Sequence, residues 1–263
     1  MSASVRPESE IARARGEISF RLPLDRRVFR DDVGGCALAA AGVDFVDPML
    51  RRRLSPLAKL TLSSAFECSK GVSGVRLVYA SRHGEIARTV AMLEDIAQGE
   101  AVSPARFSLS VLNASAGLFS LISGNPEPAT AISAGRSSFG YGLVEAALRF
   151  AEDASRPVLY VYSDEPLPTI YGKSHAEEGA SRVALALLIG DMAETALHCS
   201  VLPTARPASA EPQFRAFLRC FEEGASNWSD GDTPWHWRRP NSQANEVPAR
   251  PEKTGAGKSD LGI

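Results

Sequence analysis

Between Ser103 and Ala151 the chain reads SPARFSLSVLNASAGLFSLISGNPEPATAISAGRSSFGYGLVEAALRFA, and the order of segments within it constrains the fold more than any other stretch. Small and apolar residues from Asn113 to Ser123 predict a helix, with Gly117 in its middle at a cost of about 1 kcal/mol relative to alanine, which points to close packing. Ala129–Ser133 predicts a short strand, and Ser138–Ala151 a helix whose inner side carries Leu143, Ala146, Ala147 and Phe150. A strand that turns directly into a helix aims one side chain outward, beside the unpaired first N–H groups of the helix, which can bind an anion or oxyanion. The candidates at this elbow are Gly135, Arg136, Ser137 and Ser138, and none is a cysteine.

Around this stretch the pattern alternates. Leu54–Cys68 reads as a helix, with Ser55 as its cap and Pro56 at its first position. Gly74–Ala80 (GVRLVYA) is a valine-rich run of the kind that forms a buried strand, and Glu85–Gln98 repeats Ile86, Val90, Leu93 and Ile96 before stopping at Gly99. Pro157–Ser163 and Val183–Gly190 are two further buried strands, joined by an acidic, proline-bearing loop at 164–173. Ile18–Leu24 reads as an edge strand or arm, and Gly35–Phe45 as a strand or packed loop that breaks at the Val46–Asp47–Pro48 step. Strand and helix in alternation predict a layered α/β/α fold on a largely parallel, five-stranded sheet. The expected organisation is a flexible stretch at 1–17, one domain over 18–225, and a tryptophan-bearing segment followed by a disordered tail over 226–263. For Trp235–Pro240 both an aromatic anchor and a loose linker remain open.

Composition narrows the function classes. A formal charge of −2, from 29 basic and 31 acidic residues, argues against nucleic acid as a partner. Basic character is local, at Arg26–Arg27 and at Arg51–Arg52–Arg53. Cys36, Cys68, Cys199 and Cys220 are far apart, and His83, His175, His198 and His236 form no ligand pairing, so neither a metal site nor a cofactor is expected. The N-terminus has no signal-peptide core and no run reaches the ~20 apolar residues of a membrane span. The expected location is the cytoplasm.

The segments SPARFSLSVLNASAG, ATAISAG, GLVEAA, PVLYVYSDE and SRVALALLIG, in this order over roughly residues 35–190, resemble the N-terminal half of a β-ketoacyl synthase, a condensing enzyme of the thiolase-like superfamily. Asn113, Ala116, Gly117, Gly124 and Pro128 stand at family positions, although Glu127 replaces a glycine. More narrowly, SRHGE at 81–85 and SPxxFSxSVxN at 103–113 resemble β-ketoacyl synthase-like proteins of the chain length factor type, found with aryl polyene and related lipid biosynthesis.

Two departures limit what the resemblance implies. The position of the catalytic cysteine falls on Arg136, with Gly135 or Ser137 after a one-residue slip, and a serine without a base is a poor nucleophile for thioester chemistry. The C-terminal half that supplies two catalytic histidines also has no counterpart after Gly190. The resemblance therefore implies a subunit with no catalytic residues of its own, paired with a full-length ketosynthase in a hetero- or homodimer. The 129–133 strand and the helix from Asn113 would lie at the interface, and Phe107, Asn113, Gly117, Phe119 and Phe139 would border the acyl pocket. Arg51, Arg52 and Arg53 would meet an acidic acyl carrier protein. A second reading is a scaffold that holds an acyl carrier protein through Arg51–Arg53 or Arg82, and a third is a Ser137-dependent acyl transferase or hydrolase with His83 as its base. For Arg136, either pairing with Glu145 or Asp164 on a pocket floor, or exposure to solvent, is expected.

Overall fold

The computed structural model describes residues 12–14, 17–32, 42–172, 181–193, 196–202 and 205–240. In chain order the elements are β1 (Ala12–Ala14), β2 (Glu17–Asp31), α1 (Pro48–Arg51), α2 (Pro56–Cys68), β3 (Arg76–Ala80), α3 (Ile86–Ala97), α4 (Pro104–Ser108) and α5 (Ala114–Ser123). There follow β4 (Ala129–Ile132), a single 3-10 turn at Gly135–Ser137, α6 (Ser138–Glu152), β5 (Val158–Asp164), β6 (Val183–Ile189), β7 (Ala196–Val201), α7 (Gln213–Glu223), β8 (Ala225–Ser229) and β9 (Pro234–Arg238).

The α/β class holds, but the sheet differs from the expected five largely parallel strands. It has nine strands in the order β4-β3-β5-β6-β2-β7-β9-β8, with β1 paired to β2, and only β4, β3 and β5 run parallel. A parallel neighbour needs a crossover of a dozen or more residues, usually a helix. Such helices link β3, β4 and β5, whereas the described start of the β5–β6 connection holds Pro166, Pro168 and one short turn at Thr169–Tyr171, and β6 returns antiparallel to β5.

The largest departure is β2. The 18–24 segment is no edge strand but half of a fifteen-residue strand inside the sheet. Residues 18–23 pair with β7 and 24–31 with β6, and the register shifts between Leu24 and Arg26. This kinked strand joins two sheets, as a bulge allows. On one face of the β4-β3-β5-β6-β2 sheet, α2 and α5 pack through Leu62, Ala65, Ala116 and Phe119 against Leu77, Leu159 and Leu188. On the other face α6 and α7 are held between that sheet and the β2-β7-β9-β8 sheet, so the layers run α, β, α, β.

Trp228, Trp235 and Trp237 close the second core. They are 2%, 0% and 1% exposed, and Trp235 stacks with Trp237 at 6.3 Å between ring centroids. The tryptophan segment is thus part of the sheet, and the folded unit runs past residue 225 to Arg238; residues 241–263, the expected tail, lie outside the described ones, as do 1–11 and 33–41. At the far end of α6 the buried Arg76 guanidinium donates to the carbonyls of Arg149 (2.5 Å) and Asp153 (2.7 Å), satisfying a helix terminus that would otherwise be orphaned.

Candidate functional site

The elbow forms where the sequence predicts it. Gly135 takes φ +55°, the left-handed region open to glycine without a Cβ penalty. Ser138 then closes the turn: its Oγ accepts from the Ala134 N–H (2.8 Å) and donates to the Gly135 carbonyl (2.7 Å). That frees Ser137 for a different bond. Only 2% exposed, it donates its hydroxyl to Asp230 Oδ2 at 2.5 Å, and Asp230 Oδ1 accepts from the N–H groups of Thr233 (2.7 Å) and Asp232 (3.1 Å).

Arg136 takes neither expected environment. Half-buried, it donates to the Ser209 carbonyl at 2.5 Å and lies 5.7 Å from the Trp228 ring centroid, within cation–π range. Glu145 instead bonds Arg149 at 2.9 Å. The elbow is therefore held under the 206–211 segment and the β8–β9 turn.

His83 is committed elsewhere. Its backbone N–H donates to Asp164 Oδ1 (3.0 Å), and its Nδ1 lies 3.4 Å from Asp164 Oδ2. Ser81 Oγ (3.2 Å) and Tyr162 (3.3 Å) donate to the same carboxylate. Thus Ser137 and His83, which a serine-dependent reading would pair, have separate carboxylate partners. Next to this knot Glu85 accepts from Ser55 Oγ at 2.8 Å, and burial, followed by the Glu165 charge, raises its pKa against the opposing pull of Ser55 and Arg88. Glu165 caps α3 through the Ala87 N–H at 2.9 Å and pairs with Arg182. These groups come from the SRHGE and SDE phrases of the sequence.

The five proposed pocket residues do not meet. Phe107 (60% exposed), Asn113 and Gly117 are at the surface. Phe119 is buried against Phe66, 5.1 Å between centroids, and Phe139 lies across the sheet against Phe217 at 4.9 Å. Phe119 also borders a cavity of about 10 Å³ with Thr61, Tyr79 and Ser115, room for about one water and far below the needs of an acyl chain. An acyl pocket bordered by Phe107 would need a wall from another chain.

What the structure does bring together is an open face. Among the described residues β4 pairs with β3 alone, leaving its other edge unpaired. Asn113 at the N-cap of α5 and Gly117 and Leu121 on the helix are exposed at i, i+4 and i+8, Leu121 at 73%, and a Cβ at Gly117 would meet nothing within 4 Å. On α6, whose Arg149 reaches Thr130 of β4, Tyr141 and Leu148 are exposed. An uncovered strand edge beside exposed apolar side chains is a template for pairing with another chain.

Of the arginine cluster, Arg52 and Arg53 are exposed while Arg51 pairs with Asp44 at 2.5 Å. Cys68, Cys199 and Cys220 are buried free thiols, and burial pushes Cys68 up to about 12, away from nucleophilic use. Among the described residues no group of three or more His, Cys, Asp or Glu could hold a metal, and no helix is long and apolar enough to cross a membrane. Asp230, Ser209 and Trp228, which fix the elbow, escaped the sequence; the W-H-W alternation at 235–237 was the one signal of the strand that brings them in.

Residues 35–238 match the family described as β-ketoacyl synthase, N-terminal domain. The solved structure of a ketosynthase (ApeO) in complex with its chain length factor (ApeC) from Xenorhabdus doucetiae is similar at 30% identity and a TM-score of 0.65, over 74% of this chain and 82% of the matched one. The ishigamide ketosynthase/chain length factor is a more distant match, with 14% identity, a TM-score of 0.49 and coverage of 59% and 50%. Comparison with curated protein sequences gave no match.

Proposed function

Because the chain belongs to the β-ketoacyl synthase N-terminal domain family, we propose that it is a noncatalytic subunit of the chain length factor type, pairing with an active ketosynthase to shape the acyl pocket between them. The observation that carries this reading is the elbow. Where a condensing enzyme needs an accessible thiolate, this chain has a half-buried Arg136 bound to Ser209 and a buried Ser137 bound to Asp230.

The open face supports a place for the partner. The free edge of β4, with Gly117 and Leu121 on one side and Tyr141 and Leu148 on the other, is the surface proposed to receive the ketosynthase. Phe107 would then project from α4 toward the shared pocket. Admitting or refusing one methylene there is worth about 1–3 kcal/mol, enough to set a product length. The similarity to the ApeO–ApeC complex supports the pairing, and fatty-acid-like, aryl polyene or polyketide chains are the proposed products. Exposed Arg52 and Arg53 are proposed to meet the acidic acyl carrier protein that delivers them.

The test is coexpression with the ketosynthase of the same host. Copurification, and a changed product length with Phe107→Ala, would support the proposal. Thioesterase or acyltransferase turnover by the chain alone, lost in Ser137→Ala, would sink it.

A further inference from the structure

Next to the open edge of β4, α3 turns a second apolar strip outward. Val90 and Met92 are buried under the helix, while Leu93 and Ile96, three residues apart on its outer side, are 54% and 57% exposed. Phe107 of α4 and Val111 just after it are exposed as well. Arg106 donates to Asp95, which fixes α4 against the same end of α3 that carries Leu93 and Ile96. Two loops join this strip to the β4 face. Gly84, just before α3, faces Leu112, with 3.6 Å from an added Cβ to Leu112 Cδ1, and Ser133, just past β4, donates to the Arg82 carbonyl at 3.1 Å.

Adjacent exposed apolar side chains of this kind mark an interaction site. The size of the β4 face says what covers them. A stable interface takes about 20–30 residues a side. β4 supplies four, and Asn113, Gly117, Leu121, Tyr141 and Leu148 add five. A partner seated there must spread further to be held, and on the Asn113 side the adjoining apolar surface is the α3–α4 strip. The acyl pocket bordered by Phe107 needs a wall in the same place. Other exposed apolar side chains stand elsewhere: Phe45 rests on Phe66 of α2, and Ile170 and Met192 follow β5 and β6, two and three strands from the open edge. Glu94 on α3 and Glu100 just after it are exposed and border the strip with negative charge, which disfavours an acidic carrier protein as its occupant.

We propose that the strip of Leu93, Ile96, Phe107 and Val111 is the second half of the ketosynthase interface, covered by the same subunit that sits on β4. This rests on the pairing proposed above. The strip supplies the apolar centre with a charged rim that protein interfaces have, and the Arg106–Asp95 pair holds it in shape before the partner arrives.

The test uses the full chain coexpressed with the ketosynthase of the same host. Leu93→Glu/Ile96→Glu sets two carboxylates into the apolar strip and should weaken the complex about tenfold or more, read from its dissociation on dilution. Both positions are exposed, so the isolated variant should keep its fold by circular dichroism. In the wild type, amide hydrogen exchange over residues 93–111 should slow when the complex forms, a readout that needs no variant. A complex that Leu121→Glu disperses but Leu93→Glu/Ile96→Glu does not, with exchange over 93–111 unchanged, would overturn this assignment and leave the β4 seat standing. A chain that stays apart from the ketosynthase would remove both. Loss of self-association or of carrier-protein binding in the double variant, with ketosynthase binding intact, would give the strip to another occupant and overturn the assignment as well.

Discussion

Ser137 and Asp230, ninety-three residues apart, are joined by a 2.5 Å hydrogen bond that ties the strand-to-helix elbow to the turn between β8 and β9. The residue best placed to act as a nucleophile is thereby made a structural contact. Removing its hydroxyl leaves a carboxylate oxygen short of a donor, so Ser137→Ala should cost about 1–3 kcal/mol in urea unfolding. Asp230→Ala, which also abandons two backbone N–H groups, should cost more. Neither should change any activity of a complex except through stability.

Glu85 supplies a pH test. Its folded pKa is raised, chiefly by burial, so the folded state binds its proton more tightly than the unfolded chain. The stabilisation is full below the unfolded glutamate pKa of about 4.3 and is lost as pH rises through the folded value. Glu85→Gln keeps an acceptor for Ser55. Relative to wild type it should therefore gain thermal stability at pH 7.5 compared with pH 4.5, in paired melts; a gain that grows toward acid would have the wrong sign.

Two helical glycines should respond oppositely to alanine. At Gly142 a Cβ would lie 2.6 Å from Tyr160 Cε2 and 2.8 Å from Ala80 Cβ, and Tyr160 is fixed by its own bond to the Phe139 carbonyl. Gly142→Ala should destabilise by about 1–3 kcal/mol despite alanine's helix preference. At Gly117 the space is empty, so Gly117→Ala should stabilise the isolated chain by about 0.5–1 kcal/mol. If α5 faces the ketosynthase, Gly117→Leu should lower copurification while the isolated chain keeps its fold.

The sequence carried the central strands of the sheet well because their signals are local. β3, β5 and β6 are continuous apolar runs buried on both faces, and α2 starts as Ser55 and Pro56 predict, with the Ser55 Oγ accepting from the Ala58 N–H at 2.9 Å. β2 and β9 were hidden by their polar positions. Arg21, Arg26, Arg27 and Arg30 break the apolar run of a strand that alternates inward Phe20 and Leu22 with outward charge, and Trp235-His236-Trp237 has the same period beside a proline-rich tail. At the elbow, position was legible and partners were not. Ser209, Trp228 and Asp230 reach it only through long-range strand pairing, which no local pattern encodes. At Gly117 the glycine suggested close packing without saying against what, and within the described residues the structure leaves that position open.

The open β4 edge is the surface proposed to receive a ketosynthase. The most direct measurement is the solution mass of the chain coexpressed with the host ketosynthase, for wild type and for Leu121→Glu, with folding of the isolated chains checked by circular dichroism. A one-to-one complex that Leu121→Glu disperses without unfolding either chain is the predicted result. A chain that stays apart from the ketosynthase, or a complex indifferent to Leu121→Glu, would contradict it.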